Sequence, residues 1–73
     1  MRIATFNVNS IRTRLPVVLD WLNRRRPDVL CLQETKTPDE NFPLEPIRQA
    51  GYQAWFRGRK GGNGVALLSP RNV

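Results

Sequence analysis

Polar and apolar residues alternate from Arg2 to Val8, and Ile3, Thr5, Phe6 and Val8 favour extended backbone. The chain therefore opens on a strand that ends near Asn7. Asn9-Ser10 forms a turn. Ile11, Leu15, Val18, Leu19 and Leu22 then recur at helical spacing. Proline is tolerated only in the first turn of a helix, so Pro16 predicts a helix proper from near Leu15, with Thr13 as its N-cap. Arg24, Arg25 and Arg26 fall at the negative end of the helix dipole, and Pro27 stops the helix. Val29 to Leu32 is a continuous apolar run, the pattern of a central strand covered on both faces. Strand, amphipathic helix and buried strand together make a βαβ unit with parallel strands.

The second half has a different rhythm. Thr37 to Pro43 is a polar loop, and a short helix follows from Pro43 to Ala50, closed by Gly51. Tyr52 to Arg57 alternates as a strand, with one of Trp55 and Phe56 facing the core. Gly58 to Gly64 is a turn, and Val65 to Leu68 is a further apolar strand. These two strands pair as an antiparallel hairpin, which makes the sheet mixed. Two short helices cannot cover both faces of such a sheet. The pattern thus reads as an α/β chain cut off at Val73 before its domain is complete.

Composition narrows the classes. A chain of 73 residues holds at most one small domain and hides only about 60% of its unfolded surface on folding. Cys31 is the single cysteine, which excludes an internal disulfide, and the lack of histidine argues against an ordinary zinc site. The lone thiol, read as a small buried apolar group, suits a reducing cytoplasm. No apolar stretch is long enough for a signal peptide or membrane span. Twelve basic residues against six acidic ones give a net charge of +6, and arginine, the better fork for phosphate oxygens, supplies most of it. The charge favours a polyanionic partner, although solubility alone is an adequate reason for it.

The candidate chemistry sits at strand ends. In an open α/β sheet, ligands gather beyond the carboxyl ends of the parallel strands. Asn7 closes the first strand and Glu34 follows the second, so neighbouring strands bring both to one rim, with Lys36 two residues further on. A carboxylate there is a candidate ligand for a hard cation such as Mg²⁺, which prefers oxygen ligands and retains several waters. Asn7 orients a substrate, a water or a carboxylate without adding charge. Each residue also has a plain reading. Glu34 and Lys36 suit solvated strand-end charges, Asn7 suits a turn, and Arg12 and Arg14 suit either phosphate contacts or a solvated stretch.

Longer strings decide between these readings. Phe6-Asn7-Val8-Asn9-Ser10-Ile11-Arg12 resembles the opening motif of the exonuclease III family, in the endonuclease/exonuclease/phosphatase superfamily. Asp28-Val29-Leu30-Cys31-Leu32-Gln33-Glu34-Thr35-Lys36 resembles its second motif, and Gly51-Tyr52 and Gly62-Asn63-Gly64-Val65-Ala66-Leu67-Leu68-Ser69 resemble two further segments in the right order. The resemblance implies that residues 1–73 are the N-terminal portion of one domain, a four-layered α/β sandwich of mixed sheets. It implies a Mg²⁺- or Mn²⁺-dependent DNA-repair nuclease that cuts duplex DNA at abasic sites and works at 3′ ends, monomeric and cytoplasmic. By the same resemblance, Glu34 and Asn7 are the catalytic and metal-site residues, Glu34 binding the ion and Asn7 supporting the catalytic centre beside it. Arg12 touches the DNA backbone, and Asn9 and Lys36 join the polar network.

Three positions depart from the family pattern: Ser10 stands where glycine is common, Asn9 where aspartate is common, and Asn63 where some relatives carry a tyrosine. The family's general acid–base histidine and its later acidic residues have no counterpart within these 73 residues, so the segment alone is expected to be inactive. Two other functions compete: a phosphodiesterase of the same superfamily acting on lipid or inositol phosphates, and a small basic module that binds nucleic acid without catalysis.

Overall fold

The computed structural model describes residues 1–58 and 62–71. Four strands, β1 (Ile3–Asn7), β2 (Val29–Gln33), β3 (Tyr52–Arg57) and β4 (Val65–Pro70), form one mixed sheet in the order β1-β2-β4-β3. Helix α1 (Ile11–Arg25) makes the crossover between β1 and β2, which run parallel with Asn7 beside Gln33. A 3₁₀ turn (Asp39–Asn41) and the short helix α2 (Leu44–Gln49) lead into the antiparallel β3–β4 hairpin. Strand β4 inserts next to β2 and runs antiparallel to it. The expected βαβ unit, short helix and hairpin are all present. Of the predicted Gly58 to Gly64 turn, positions 59–61 lie outside the described residues.

Helix α1 begins at Ile11, not near Leu15, and its N-cap is Ser10, not Thr13. Pro16 is therefore interior, and the Arg12 carbonyl loses a helical donor, a loss of the kind that normally breaks a helix. Tertiary anchors outweigh it here. Ile11 is fully buried, and the amides of Ser10 and Ile11 donate to the carbonyls of Glu34 and Thr35 at 2.9 and 3.0 Å. Pro16 and Arg12 are both exposed, so water reaches the carbonyl left without its partner.

Both helices cover the same face of the sheet. Ile11, Val18 and Leu22 of α1 join Ile47 of α2 against Leu30, Leu32, Tyr52, Ala66 and Leu68. Phe56 turns inward and stacks on Phe42, with ring centres 4.0 Å apart. Its neighbour Trp55 faces outward. The Tyr52 hydroxyl, buried, donates to the Pro27 carbonyl at 2.7 Å and ties the hairpin to the loop before β2. Burial raises the Tyr52 pKa, against the opposing pull of Arg26, whose guanidinium lies 5.2 Å from the ring centre.

Strand β2 is central, as its apolar run predicts, but only one of its faces is covered among the described residues. Leu30 and Leu32 are buried while Val29, Cys31 and Gln33 are half-buried on the other side. Ile3, Trp55, Val65 and Leu67 share that open face and stay exposed. Cys31 is accordingly a half-buried thiol and not a core residue.

Candidate active site

Parallel pairing of β1 and β2 ends both strands at one rim, and the residues that follow fold over it. The Asn7 side-chain amide donates to Glu34 Oε2 at 2.8 Å, so the two predicted residues meet directly. Asn7 Oδ1 accepts from the Asn9 amide at 3.2 Å, the turn that asparagine forms with backbone two residues on. Lys36 Nζ donates to Asn9 Oδ1 at 2.7 Å and stands 3.5 Å from Glu34 Oε1. Asn7, Glu34, Lys36 and Asn9 thus close a ring of polar contacts on the rim.

The backbone beneath this ring is unusual. Asn9, Ser10, Glu34 and Lys36 all have positive φ, at 45°, 88°, 56° and 52°. Such conformations are disfavoured for residues with a side chain and persist where neighbours impose them. The segment after β2 is held from both sides. Glu34 and Thr35 accept from Ser10 and Ile11, at the start of α1. Thr35 and Lys36 donate to the carbonyls of Gly64 and Asn63, at 3.3 and 2.8 Å, on the hairpin side. Gly64, at φ 76°, leaves room for the Thr35 hydroxyl, and Gly58 leaves room for the Thr37 carbonyl; a Cβ at either glycine would overlap those atoms. The Gly58 amide is further fixed by Asp39 Oδ1 at 2.7 Å.

Electrostatics favour the charged form of the acid. The hydrogen bond from Asn7 lowers the Glu34 pKa, partial desolvation works against it, and the Lys36 ammonium lowers it further. One carboxylate with an adjacent amide oxygen suits a hard, oxygen-seeking ion that keeps much of its water, the mode in which Mg²⁺ is usually bound. No cluster of three or more His, Cys, Asp or Glu side chains occurs among the described residues. Of the residues expected at a cation site, Glu34 and Asn7 are in direct hydrogen-bond contact, and Asn9 lies beside them.

Arg12 is exposed at the second position of α1, a helix that starts from this same rim. Arg14 is exposed as well. The Asn63 carbonyl enters the site by accepting from the Lys36 amide at 2.8 Å. Sequence reasoning missed the roles of Gly58 and Gly64 as close-approach positions. Their signal was present, but a hairpin turn accounted for it.

A mixed α/β sheet carrying a carboxylate and its partners on the rim of two parallel strands has the site architecture of an α/β enzyme. The chain belongs to the Endonuclease/Exonuclease/phosphatase family, whose family model matches residues 4–73. It is 41% identical over 69 residues to the exodeoxyribonuclease III of Haemophilus influenzae, covering 94% of this chain and 26% of that protein. It is 36% identical over 81 residues to the DNA repair nuclease APEX1 of Danio rerio, covering 100% of this chain and 26% of the relative. Among solved structures, an AP endonuclease from Archaeoglobus fulgidus superposes with a TM-score of 0.93 at 52% identity, over 94% of this chain and 27% of that one. A 3′ phosphatase from Neisseria bound to product DNA hairpin gives 0.91 at 42% identity, with the same coverage of 94% and 27%. The chain thus spans about a quarter of the length of these relatives, and its fold is the N-terminal part of the AP endonuclease fold.

Proposed function

We propose that the protein carrying this chain is a DNA-repair nuclease of the exonuclease III type, hydrolysing phosphodiesters at abasic sites and 3′ ends of duplex DNA with Mg²⁺ or Mn²⁺. The observation that carries the reading is the closed ring of Asn7, Glu34, Lys36 and Asn9 on the rim of β1 and β2. The names of the relatives support the substrate class: two are DNA-repair or exodeoxyribonuclease enzymes, and one solved relative holds a DNA product.

Each residue has a part in this reading. Glu34 holds the divalent ion through its carboxylate, and Asn7 fixes that carboxylate's orientation and keeps it ionised. When bound, the ion supplies a Lewis acid that stabilises charge on the phosphate and the leaving oxygen. Asn9 offers a neutral oxygen beside the ion, and Lys36 holds that oxygen in place. Arg12, exposed on the first turn of α1, contacts the DNA backbone, and the net charge of +6 aids the approach of a polyanion. We place the protein in the cytoplasm as a monomer, a setting that suits the lone thiol of Cys31. No helix among the described residues is long and apolar enough to cross a membrane.

Residues 1–73 by themselves supply the metal side of the reaction and no histidine for proton transfer, so this segment alone should not cleave DNA. The test uses the intact protein and the substitution Glu34→Gln, which removes charge and keeps size. Cleavage of an abasic duplex should fall by several powers of ten, at least the scale of losing one preorganised electrostatic group, about 10²–10³. The Mg²⁺ dependence should also move to higher concentration. Wild-type turnover with wild-type Mg²⁺ dependence would reject Glu34 as the metal residue. Hydrolysis of inositol phosphates or sphingolipids without DNA cleavage would reject the substrate class.

A further inference from the structure

We propose that Lys36 is a tethered cation that shares its oxygen partners with the divalent ion and weakens that ion's hold on the site. This rests on the reading of Glu34 as the metal residue and assigns a role to a neighbour.

The argument is one of oxygen supply. Glu34 has two carboxylate oxygens, and Oε2 already accepts from Asn7 at 2.8 Å. Oε1 is therefore the carboxylate oxygen left for a cation, and Lys36 Nζ stands 3.5 Å from it. A further side-chain oxygen on this rim is Asn9 Oδ1, and Lys36 Nζ donates to it at 2.7 Å. One ammonium thus lies against two of the oxygens open to a hard cation here. It is not a loose surface charge. Its backbone is fixed at φ 52°, and its amide is bonded to the Asn63 carbonyl at 2.8 Å, so the side chain leaves from a defined point.

Two consequences follow. Before a divalent ion arrives, the ammonium neutralises Glu34 and keeps Asn9 oriented, so the ring is assembled without metal. When the ion binds, two positive centres share one carboxylate. A unit charge within a few ångströms of a divalent ion, screened as strongly as in bulk water, changes affinity on the order of tenfold. Lys36 is a positioning residue in this sense: it acts through Glu34 and Asn9.

The experiment measures Mn²⁺ binding to the intact protein without DNA, by electron paramagnetic resonance of the free ion. Four proteins are compared: wild type, Lys36→Met, Lys36→Arg and Glu34→Gln. Lys36→Met removes charge and keeps length, and should tighten Mn²⁺ binding on the order of tenfold. Lys36→Arg keeps the charge and should stay close to wild type. Glu34→Gln should weaken binding. Circular dichroism checks that each variant is folded, which the exposure of Lys36 favours. Unchanged or weaker binding in Lys36→Met overturns the proposal, as does equal tightening in Lys36→Met and Lys36→Arg, since charge would then not be the cause. Unchanged binding in Glu34→Gln overturns the metal reading itself, which separates that failure from a failure of the role given to Lys36.

Discussion

Replacing Ser10 with glycine should stabilise the protein, against the usual rule for a helix N-cap. Ser10 adopts φ 88° and ψ 103°, a conformation that a Cβ disfavours and glycine reaches freely. A residue held in such a region costs on the order of 1–3 kcal/mol. Against this cost stand two contacts of the hydroxyl. Oγ accepts from the Thr13 amide at 3.4 Å and donates to Thr13 Oγ1 at 3.1 Å. The first is long for a capping bond, and serine-to-glycine changes at an N-cap ordinarily lose only a few tenths of a kcal/mol. Strain relief therefore outweighs cap loss, and Ser10→Gly should gain about 1 kcal/mol. The backbone bond from Ser10 to the Glu34 carbonyl survives the change. Ser10→Ala keeps the strain, discards the cap, and should lose about 1 kcal/mol. Urea unfolding of the intact protein reads both as shifts of the midpoint at constant slope. A loss of stability in Ser10→Gly would show that the backbone at Ser10 stores no strain.

Other residues of the site lend themselves to direct measurement. Asn7 is the main cause of the lowered Glu34 pKa, so Asn7→Ala should raise it towards the ordinary value of 4.5, followed by carboxyl-carbon NMR titration. Because the folded pKa is depressed, the stability this carboxylate contributes is complete above its unfolded value and is lost as pH falls through the lowered one; Asn7→Ala should move that loss to higher pH, and an unmoved titration contradicts the assignment. Gly64→Ala forces a Cβ into the Thr35 hydroxyl at φ 76° and should cost about 2 kcal/mol or more in unfolding midpoint, whereas unchanged stability would deny the close approach. Arg12→Ala should weaken binding to an abasic duplex about equally across sequences and reduce the salt dependence by roughly one counterion. An unchanged salt slope would leave Arg12 as a solvated charge.

The strands were legible because their patterns leave little choice. Alternation from Tyr52 to Arg57 and the apolar run from Val29 to Leu32 map directly onto β3 and β2. Adjacency of Asn7 and Glu34 was legible too, since a right-handed parallel crossover puts consecutive strands side by side and fixes their shared rim. The start of α1 was misread because Pro16 is a strong local signal, while the forces that overrule it are remote. Those forces are the burial of Ile11 and the bonds from Ser10 and Ile11 to the end of β2. Cys31 was misread for a related reason. A continuous apolar run gives its position in the sheet, but not which neighbours cover each face. The closing of the ring by Lys36 depends on positive φ at Glu34 and Lys36. Neither residue type advertises that conformation, so spacing alone placed Lys36 on the rim without its contact to Asn9.

The conformations at the rim share one mechanical cause. The segment from Glu34 to Lys36 is pulled in two directions. Its carbonyls accept from the first residues of α1, and its amides donate to the end of the hairpin turn. In a regular strand the N–H and C=O of one residue point to the same neighbour, whereas Thr35 donates to the hairpin and accepts from α1. Turning Glu34 and Lys36 to positive φ, with Thr35 buried between them, lets three consecutive residues reach both sides. The Glu34 carboxylate therefore leaves from a backbone fixed by α1, and the Lys36 ammonium leaves from one fixed by the hairpin. Their separation of 3.5 Å is set by the packing of α1 and the β3–β4 hairpin around β2, and less by the attraction of two exposed charges, which is weak in water. A site built this way holds its geometry before any ligand arrives. It also explains why glycine is needed at Gly58 and Gly64, which touch no candidate ligand but set how closely the hairpin approaches the rim.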